Sequence, residues 1–469
     1  MNREVELIKN TFILGLGMFL PKLISIITLP IVTACLTKSE YGTYDLINTL
    51  ISLLLPIATL QIQSAAFRFL IECRGDREKS SEIITNVFAV VFPVSLAVSL
   101  AIVCLANNLA TSVKIVTGLY FLLDSIQTTL GMIVRGLGKN KVYAINSIVY
   151  SIINGIGIVL AVQLRNQGIF GLILSLVIAN FLALTFLSFN IKIWHYLNLK
   201  LVSGSKIKEL IAYSWPMVPN NLSNWLLSLS DRLIITAFIG IEANAVYAVA
   251  TKIPNLLSTA HGVLTMSWQE NASMAVNDKD ASQYYSKIFE NVFSLLIGFT
   301  AVIIGFMPLL FRMLIRGDYG ESYNQMPILI IGQFFWAMSG FMGGIYIAHK
   351  RTKHVGFTTM AAAAINLLLN LLLVRSIGIT ASSISTLVAY LSLYIIRVSG
   401  TKKFQPMDFK FKKQLLSYVL IVLMVVICYQ KNFYLNIFNG IAGLIVFFFL
   451  NWNFVKNMIS GGLKMIRHR

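Results

Sequence analysis

Apolar residues run through this 469-residue chain in blocks of about twenty, separated by short polar turns. Fourteen such blocks fall at 10–36, 42–66, 83–106, 115–135, 143–163, 168–190, 209–239, 243–268, 288–311, 325–347, 356–375, 378–397, 413–430 and 435–455. A bilayer core takes roughly 20 apolar helical residues to cross, so each block predicts a membrane-spanning helix. The expected fold is an all-α polytopic membrane protein of about 14 transmembrane helices.

The pattern is written twice. Residues 8–190 and 209–397 show the same order of helices, loops and basic turns. Gly42-Thr43-Tyr44 falls on Ala245-Val246-Tyr247, and Lys141 to Asn154 on Lys353 to Asn366. After a two-residue gap, Gly168-Ile169, Ser175 and Ala179 fall on Gly378-Ile379, Ser385 and Ala389. An even number of spans per copy sets both copies the same way up. The expected plan is two pseudo-symmetric six-helix lobes, residues 1–208 and 209–400, around a central cleft, with two C-terminal helices appended at 401–469. The basic flanks of that appendage are Lys410, Lys412, Lys413, Lys464, Arg467 and Arg469.

Composition agrees with a membrane chain. Hydrophobic residues make up 57% and charged residues 12%, with a mean hydropathy of +0.75, too much apolar surface for one soluble core to cover. Of the 38 Lys and Arg, 28 fall in alternate turns and both tails, 7 in the opposite turns and 3 inside spans. By the positive-inside rule both termini are expected in the cytoplasm, so the net charge of +19 reflects topology and anionic lipid, not nucleic-acid binding. The first apolar run, from Thr11, is too long for a secretion signal and is read as the first span. Cys35, Cys73, Cys104 and Cys428 are too dispersed for a disulfide framework or a metal site. No cofactor is expected beyond a coupling H⁺ or Na⁺.

Polar residues inside the spans carry the candidate chemistry, because a charge in hydrocarbon costs about 2.5–3.5 kcal/mol on insertion scales. Lys22, Arg232 and Lys252 lie within spans one, seven and eight, and Arg68 closes span two. These four form the expected cationic cleft. Asn220, Asn224, Ser228 and Asp231 make a stripe on span seven, and Gln61 and Ser64 lead to Arg68 on span two. A structural pairing of Arg232 with Asp231 or Asp45 competes with its cleft role. Asp124, His261 and Glu290 are the candidates for ion or proton coupling, against the plainer reading of hydrogen-bonded helix contacts. Pro21 and Pro30 in span one, and Pro216 and Pro219 in its counterpart, are candidate hinges; Pro56 and Pro254 fall likewise in spans two and eight.

Glu40-Tyr41-Gly42-Thr43-Tyr44 opening span two, Ala65-Ala66-Phe67-Arg68-Phe69 leaving it, Ser214-Trp215-Pro216 opening span seven, and Ser230-Asp231-Arg232 followed by the Tyr247 turn resemble the bacterial polysaccharide flippases. These are the O-antigen and capsule repeat-unit translocases of the multidrug/oligosaccharidyl-lipid/polysaccharide exporter superfamily. The resemblance implies transfer of an undecaprenyl-diphosphate-linked oligosaccharide from the inner to the outer leaflet of the bacterial cytoplasmic membrane, driven by an ion gradient. It implies that basic cleft residues meet the diphosphate, and that a polymerase and a chain-length regulator are partners beside the membrane lipids. Ser267-Trp268-Gln269-Glu270 departs from the family's aromatic-basic-proline run at the inner end of span eight. The alternatives are a multidrug or lipid II transporter of the same superfamily. An enzyme reading, as a membrane glycosyltransferase, polymerase or ligase, calls for a sizeable catalytic loop, and every turn on the outer side is short. The chain has no G-x-x-x-x-G-K-[ST] sequence, which argues against direct ATP use.

Overall fold

The computed structural model describes residues 3–276 and 278–467, so the expected anchor Arg469 lies outside the described residues, as do the side chains of Lys464 and Arg467. The described residues form helices and turns, with no strand among them. Two compact units divide the chain, one of residues 1–233 with 241–245 and the other of 234–240 with 246–469.

The first unit begins with α1 (Arg3–Cys35), α2 (Lys38–Ala58), α3 (Ile62–Glu72), α4 (Arg77–Leu105), α5 (Thr111–Gly136), α6 (Asn140–Ile158) and α7 (Gly168–Ile191). Local chemistry sets the ends of these helices. Thr37 and Glu40 form a capping box on α2: the Thr37 hydroxyl accepts from the Glu40 amide at 3.2 Å, and the Glu40 carboxylate accepts from the Thr37 amide at 3.0 Å. Asp76 caps α4 by accepting from the Lys79 amide at 3.1 Å, and that bond holds its carboxyl below the usual carboxylate range. Expected span two breaks after Pro56: Leu60 and Gln61 take left-handed φ values of 47° and 57°, and α3 leaves α2 at 55°.

Small residues let these helices close on one another. A side chain at Gly17 would meet Ala144 at 3.0 Å, and one at Gly155 would meet Ile24 at 2.9 Å, so α1 and α6 approach at backbone distance. Between α6 and α7, Gly157 faces Ser175, whose hydroxyl donates to Asn154 Oδ1 at 2.9 Å. The connection 192–203 is tied down on α4. Thr85 Oγ1 donates to the Tyr196 carbonyl and accepts from the Asn198 amide, both at 3.1 Å. Asn86 donates to the Leu201 carbonyl at 2.9 Å and accepts from the Ser203 amide at 2.7 Å. The amphipathic α8 (Gly204–Ser214) then buries Leu210 against α3 and α4 while Lys208 and Glu209 stay outward. Most of α9 (Met217–Phe238) and the first half of α10 (Ile241–Ala250) belong to this unit.

The second unit holds the rest of α10, then α11 (Asn255–Ala275), α12 (Ala281–Leu314), α13 (Gly320–Ala348), α14 (Thr352–Ile377), α15 (Ile379–Thr401), α16 (Phe411–Tyr429) and α17 (Phe433–Arg467). Expected span eight is interrupted at 251–254, ending on Pro254, as span two is interrupted after Pro56. Ser382 donates to Asn370 at 3.0 Å between α14 and α15, an Asn–Ser fastening of the kind that joins α6 to α7. The last helix, α17, packs on α12 through glycines: Gly298 faces Phe447 and Asn451, Gly305 faces Asn439 and Gly440, and Gly443 faces Ala301.

Among the described residues nine helices are long and apolar enough to cross a membrane, or ten if the bent pair of α2 and α3 counts as one span. The chain is an all-α multi-pass membrane protein. The expected spans outside that count include α5, α9 and the interrupted α10 and α11, which carry in-span charges or a histidine, while α1 contributes an apolar stretch at Phe19–Cys35.

Candidate functional site

In the first unit the polar residues of α2, α9 and α10 meet around one ion pair. Arg232 Nε of α9 donates to Asp45 Oδ2 of α2 at 2.8 Å, with side chains only 9% and 11% exposed. Asn244 of α10 donates to the same carboxylate oxygen at 3.4 Å and to the Gly42 carbonyl at 3.1 Å. Gly42 has no side chain because the backbone of Ile241 occupies the space where a Cβ would lie. Tyr41 is buried beside the pair. Further along α2 and earlier on α9, Trp225 Nε1 donates to the Thr49 carbonyl at 3.2 Å and to Ser52 Oγ at 3.0 Å.

The stripe on α9 divides. Asn220, Asn224 and Ser228 lie on an accessible face, with Asn224 donating to the Asn220 carbonyl at 3.0 Å, whereas Asp231 is turned into the protein at 2% exposure. On span two, Gln61 sits in the left-handed break and accepts from the Ser64 hydroxyl at 3.4 Å. Arg68 stands exposed at the end of α3 in a 2.8 Å pair with Glu72, so it and Arg232 each face a carboxylate of their own. Lys22 is exposed on α1 beside Pro21. In the second unit, Lys252 is half-buried in the interruption between α10 and α11, with no carboxylate in ion-pair reach among the described residues.

The three coupling candidates lie in different surroundings. Asp124, half-buried on α5, is close enough to Tyr120 and Tyr150 to act on both electrostatically and has no cation beside it among the described residues. Tyr120 in turn donates to Asn48 Oδ1 at 3.0 Å. His261 is buried on α11 with Thr265 Oγ1 2.9 Å from Nε2 and the edge of Trp336 at 5.0 Å. It lines a cavity of about 170 Å³ shared with Thr265, Trp268, Asn271, Tyr284 and Phe341. In the departing segment Trp268 is locked, stacked on Phe341 at 4.3 Å and donating to its carbonyl at 2.9 Å. Glu290 is already paired, to Lys410 at 2.6 Å and Lys413 at 3.0 Å, and its hydrogen bond raises the Lys410 ammonium above its ordinary value.

Of the candidate hinges, Pro21 and Pro30 lie inside the unbroken α1. Pro216 lies in the turn before α9 and Pro219 in its first turn, where a missing amide costs least. Two arginines escaped the sequence reading because they close apolar blocks and pass for ordinary inner-turn cations. Arg397 of α15 is 5% exposed and donates to the Ser339 and Val355 carbonyls at 2.9 and 3.3 Å and to the Thr358 and Thr359 hydroxyls at 3.1 and 3.0 Å. It binds α13, α14 and α15 together. Arg135, in the last turn of α5, has no such set of acceptors.

This fold is shared with known exporters. The lipid II flippase MurJ, in an inward closed conformation, superposes with a TM-score of 0.73 at 14% identity, over 96% of this chain and 100% of that one. A multidrug resistance MATE family transporter of the MOP superfamily gives 0.68 at 12% identity in its inward-facing conformation, over 83% and 96%. An outward-facing conformation of such a transporter gives 0.59 at 12%, over 89% and 95%. No curated protein sequence matches the chain. A family model described as polysaccharide biosynthesis protein matches residues 7–270, more than half the length, and the chain belongs to that family.

Proposed function

We infer that this protein is a flippase that carries undecaprenyl-diphosphate-linked oligosaccharide repeat units from the cytoplasmic to the outer leaflet of the bacterial inner membrane by ion-coupled alternating access. One observation carries the reading: a polysaccharide-biosynthesis family match lies on an exporter fold in which the longest described connection between helices is only 192–203. A glycosyltransferase or polymerase would need a larger loop to hold its catalytic groups. A lipid-linked diphosphate moves its charge through a polar path while its tail stays in lipid, and Lys22 and Lys252 are the cations assigned to meet it. Asn220, Asn224 and Ser228 offer amides and a hydroxyl to sugar hydroxyls.

Arg232 has two duties in this scheme. Paired with Asp45 it holds α9 against α2; released, it offers a guanidinium to phosphate. Asp124 is assigned to ion coupling, since its carboxylate stands among phenols with no cation beside it among the described residues. The pairing of Glu290 with two lysines makes it the weaker candidate. His261, held by Thr265, is kept as a secondary one.

The test measures lipid-linked glycan in each leaflet in cells lacking the protein and in cells carrying it. Accumulation on the cytoplasmic side, relieved by the intact gene, is expected. An unchanged pool with altered drug susceptibility would replace this reading with a multidrug exporter. Accumulation of lipid II instead would reassign the substrate within the superfamily.

A further inference from the structure

We propose that Arg135 forms a binding point for the phosphoryl headgroup of a membrane lipid at the inner-leaflet end of the first unit. The guanidinium carbon lies 5.0 Å from the ring centre of Phe67 on α3 and 5.3 Å from that of Tyr143 on α6. Two rings therefore fix the position of a cation whose hydrogen-bonding edge is unfilled. Nη1 reaches only the Met132 sulfur, a weak acceptor, at 3.6 Å, and the buried Nε has no acceptor.

Other arginines drawn into the two units differ on this point. Arg232 has Asp45, Arg397 has two carbonyls and two hydroxyls, and Arg74 donates to the Gly136 and Arg135 carbonyls at 2.8 and 3.3 Å. Arg135 is held and unsatisfied. With Nε buried, the two terminal nitrogens are the edge that meets an incoming oxyanion, and they suit one that accepts two parallel hydrogen bonds.

Its surroundings select a lipid over a soluble anion. Arg135 ends an apolar helix at the edge of the bilayer, between Phe67, Tyr143 and Met132, with the positive-inside count placing this end in the cytoplasm. Arg74, which donates to the Arg135 carbonyl, and Lys139, four residues on, add positive potential to attract an anionic headgroup. A phospholipid phosphate and the diphosphate of a lipid-linked glycan share the required chemistry. Only the second identity rests on the flippase reading.

Binding is measured on the full chain in zwitterionic nanodiscs, titrated separately with a polyprenyl diphosphate and with phosphatidylglycerol. Arg135→Gln is expected to weaken binding at least tenfold for one or both lipids, and the lipid with the larger loss names the source. Arg135→Lys, which keeps the charge and folds more safely, is expected to recover only part of it. Undiminished binding of both lipids in either variant would overturn the site. Because the readout is equilibrium binding, failure here leaves the leaflet assay of flippase function untouched, and failure there leaves an ordinary anionic-lipid site intact.

Discussion

Asp45 and Arg232 are costly to separate because neither has much water to return to. Removing one partner of a buried pair typically costs about 3–5 kcal/mol, more than the pair itself contributes. Arg232→Ala should therefore lower thermal stability in detergent by that order, and Asp45→Asn combined with Arg232→Gln should regain a large part of it. A double variant no more stable than Arg232→Ala alone would show that the two charges are not coupled. Lys22→Ala and Lys252→Ala should leave folding intact and reduce delivery of lipid-linked repeat units at matched expression by an order of magnitude or more; normal export in both would remove them from the path. Asp124→Asn should abolish the dependence of flipping on a proton or sodium gradient, and an unchanged dependence would return Asp124 to a structural role. Single residues were unevenly legible in the sequence. Asn220, Asn224, Ser228 and Asp231 share one face of a helix by their spacing, yet Asp231 and Arg232 are buried while the first three are exposed, because on this face the protein packs over only the later turns of α9. Partners across elements are invisible to spacing: Asp45 stood as one of two possible mates for Arg232, and only tertiary packing brings it to 2.8 Å.

Helix ends and breaks repeat with more fidelity than residue identities. Pro56 and Pro254 sit beside the interruptions of spans two and eight, while Pro216 and Pro219 start a helix and Pro21 and Pro30 stay within one. Proline position alone does not separate these outcomes. A missing amide inside α1 leaves the helix continuous, whereas in span two the left-handed residues Leu60 and Gln61 turn the chain. The α12–α17 contact depends on glycine, since Gly305 leaves no room before Asn439 and Gly440. Gly305→Leu should destabilise the protein by roughly 1–3 kcal/mol, the usual range for overpacking, and increase protease access to α17. A protein as stable as the parent, with α17 still protected, would mean that this seam tolerates bulk.

At the scale of the molecule, the membrane class and the order of helices were read from hydrophobic blocks alone. The number of plainly apolar spans was not, because the helices that carry Asp124, Arg232 and Lys252 trade hydropathy for polar faces. The ion pair of the first unit also bears on how the chain is made. Asp45 is synthesised 187 residues before Arg232, which at about 5–20 residues per second is a wait of roughly 10–40 s. Through that interval α2 sits in the translocon or the bilayer with a carboxylate whose cation is still in the ribosome. The expected N-lobe, residues 1–208, thus stops short of the first unit, which runs on to Leu233, and a chain arrested before α9 should be a preferred target of membrane quality-control proteases until its counter-ion arrives.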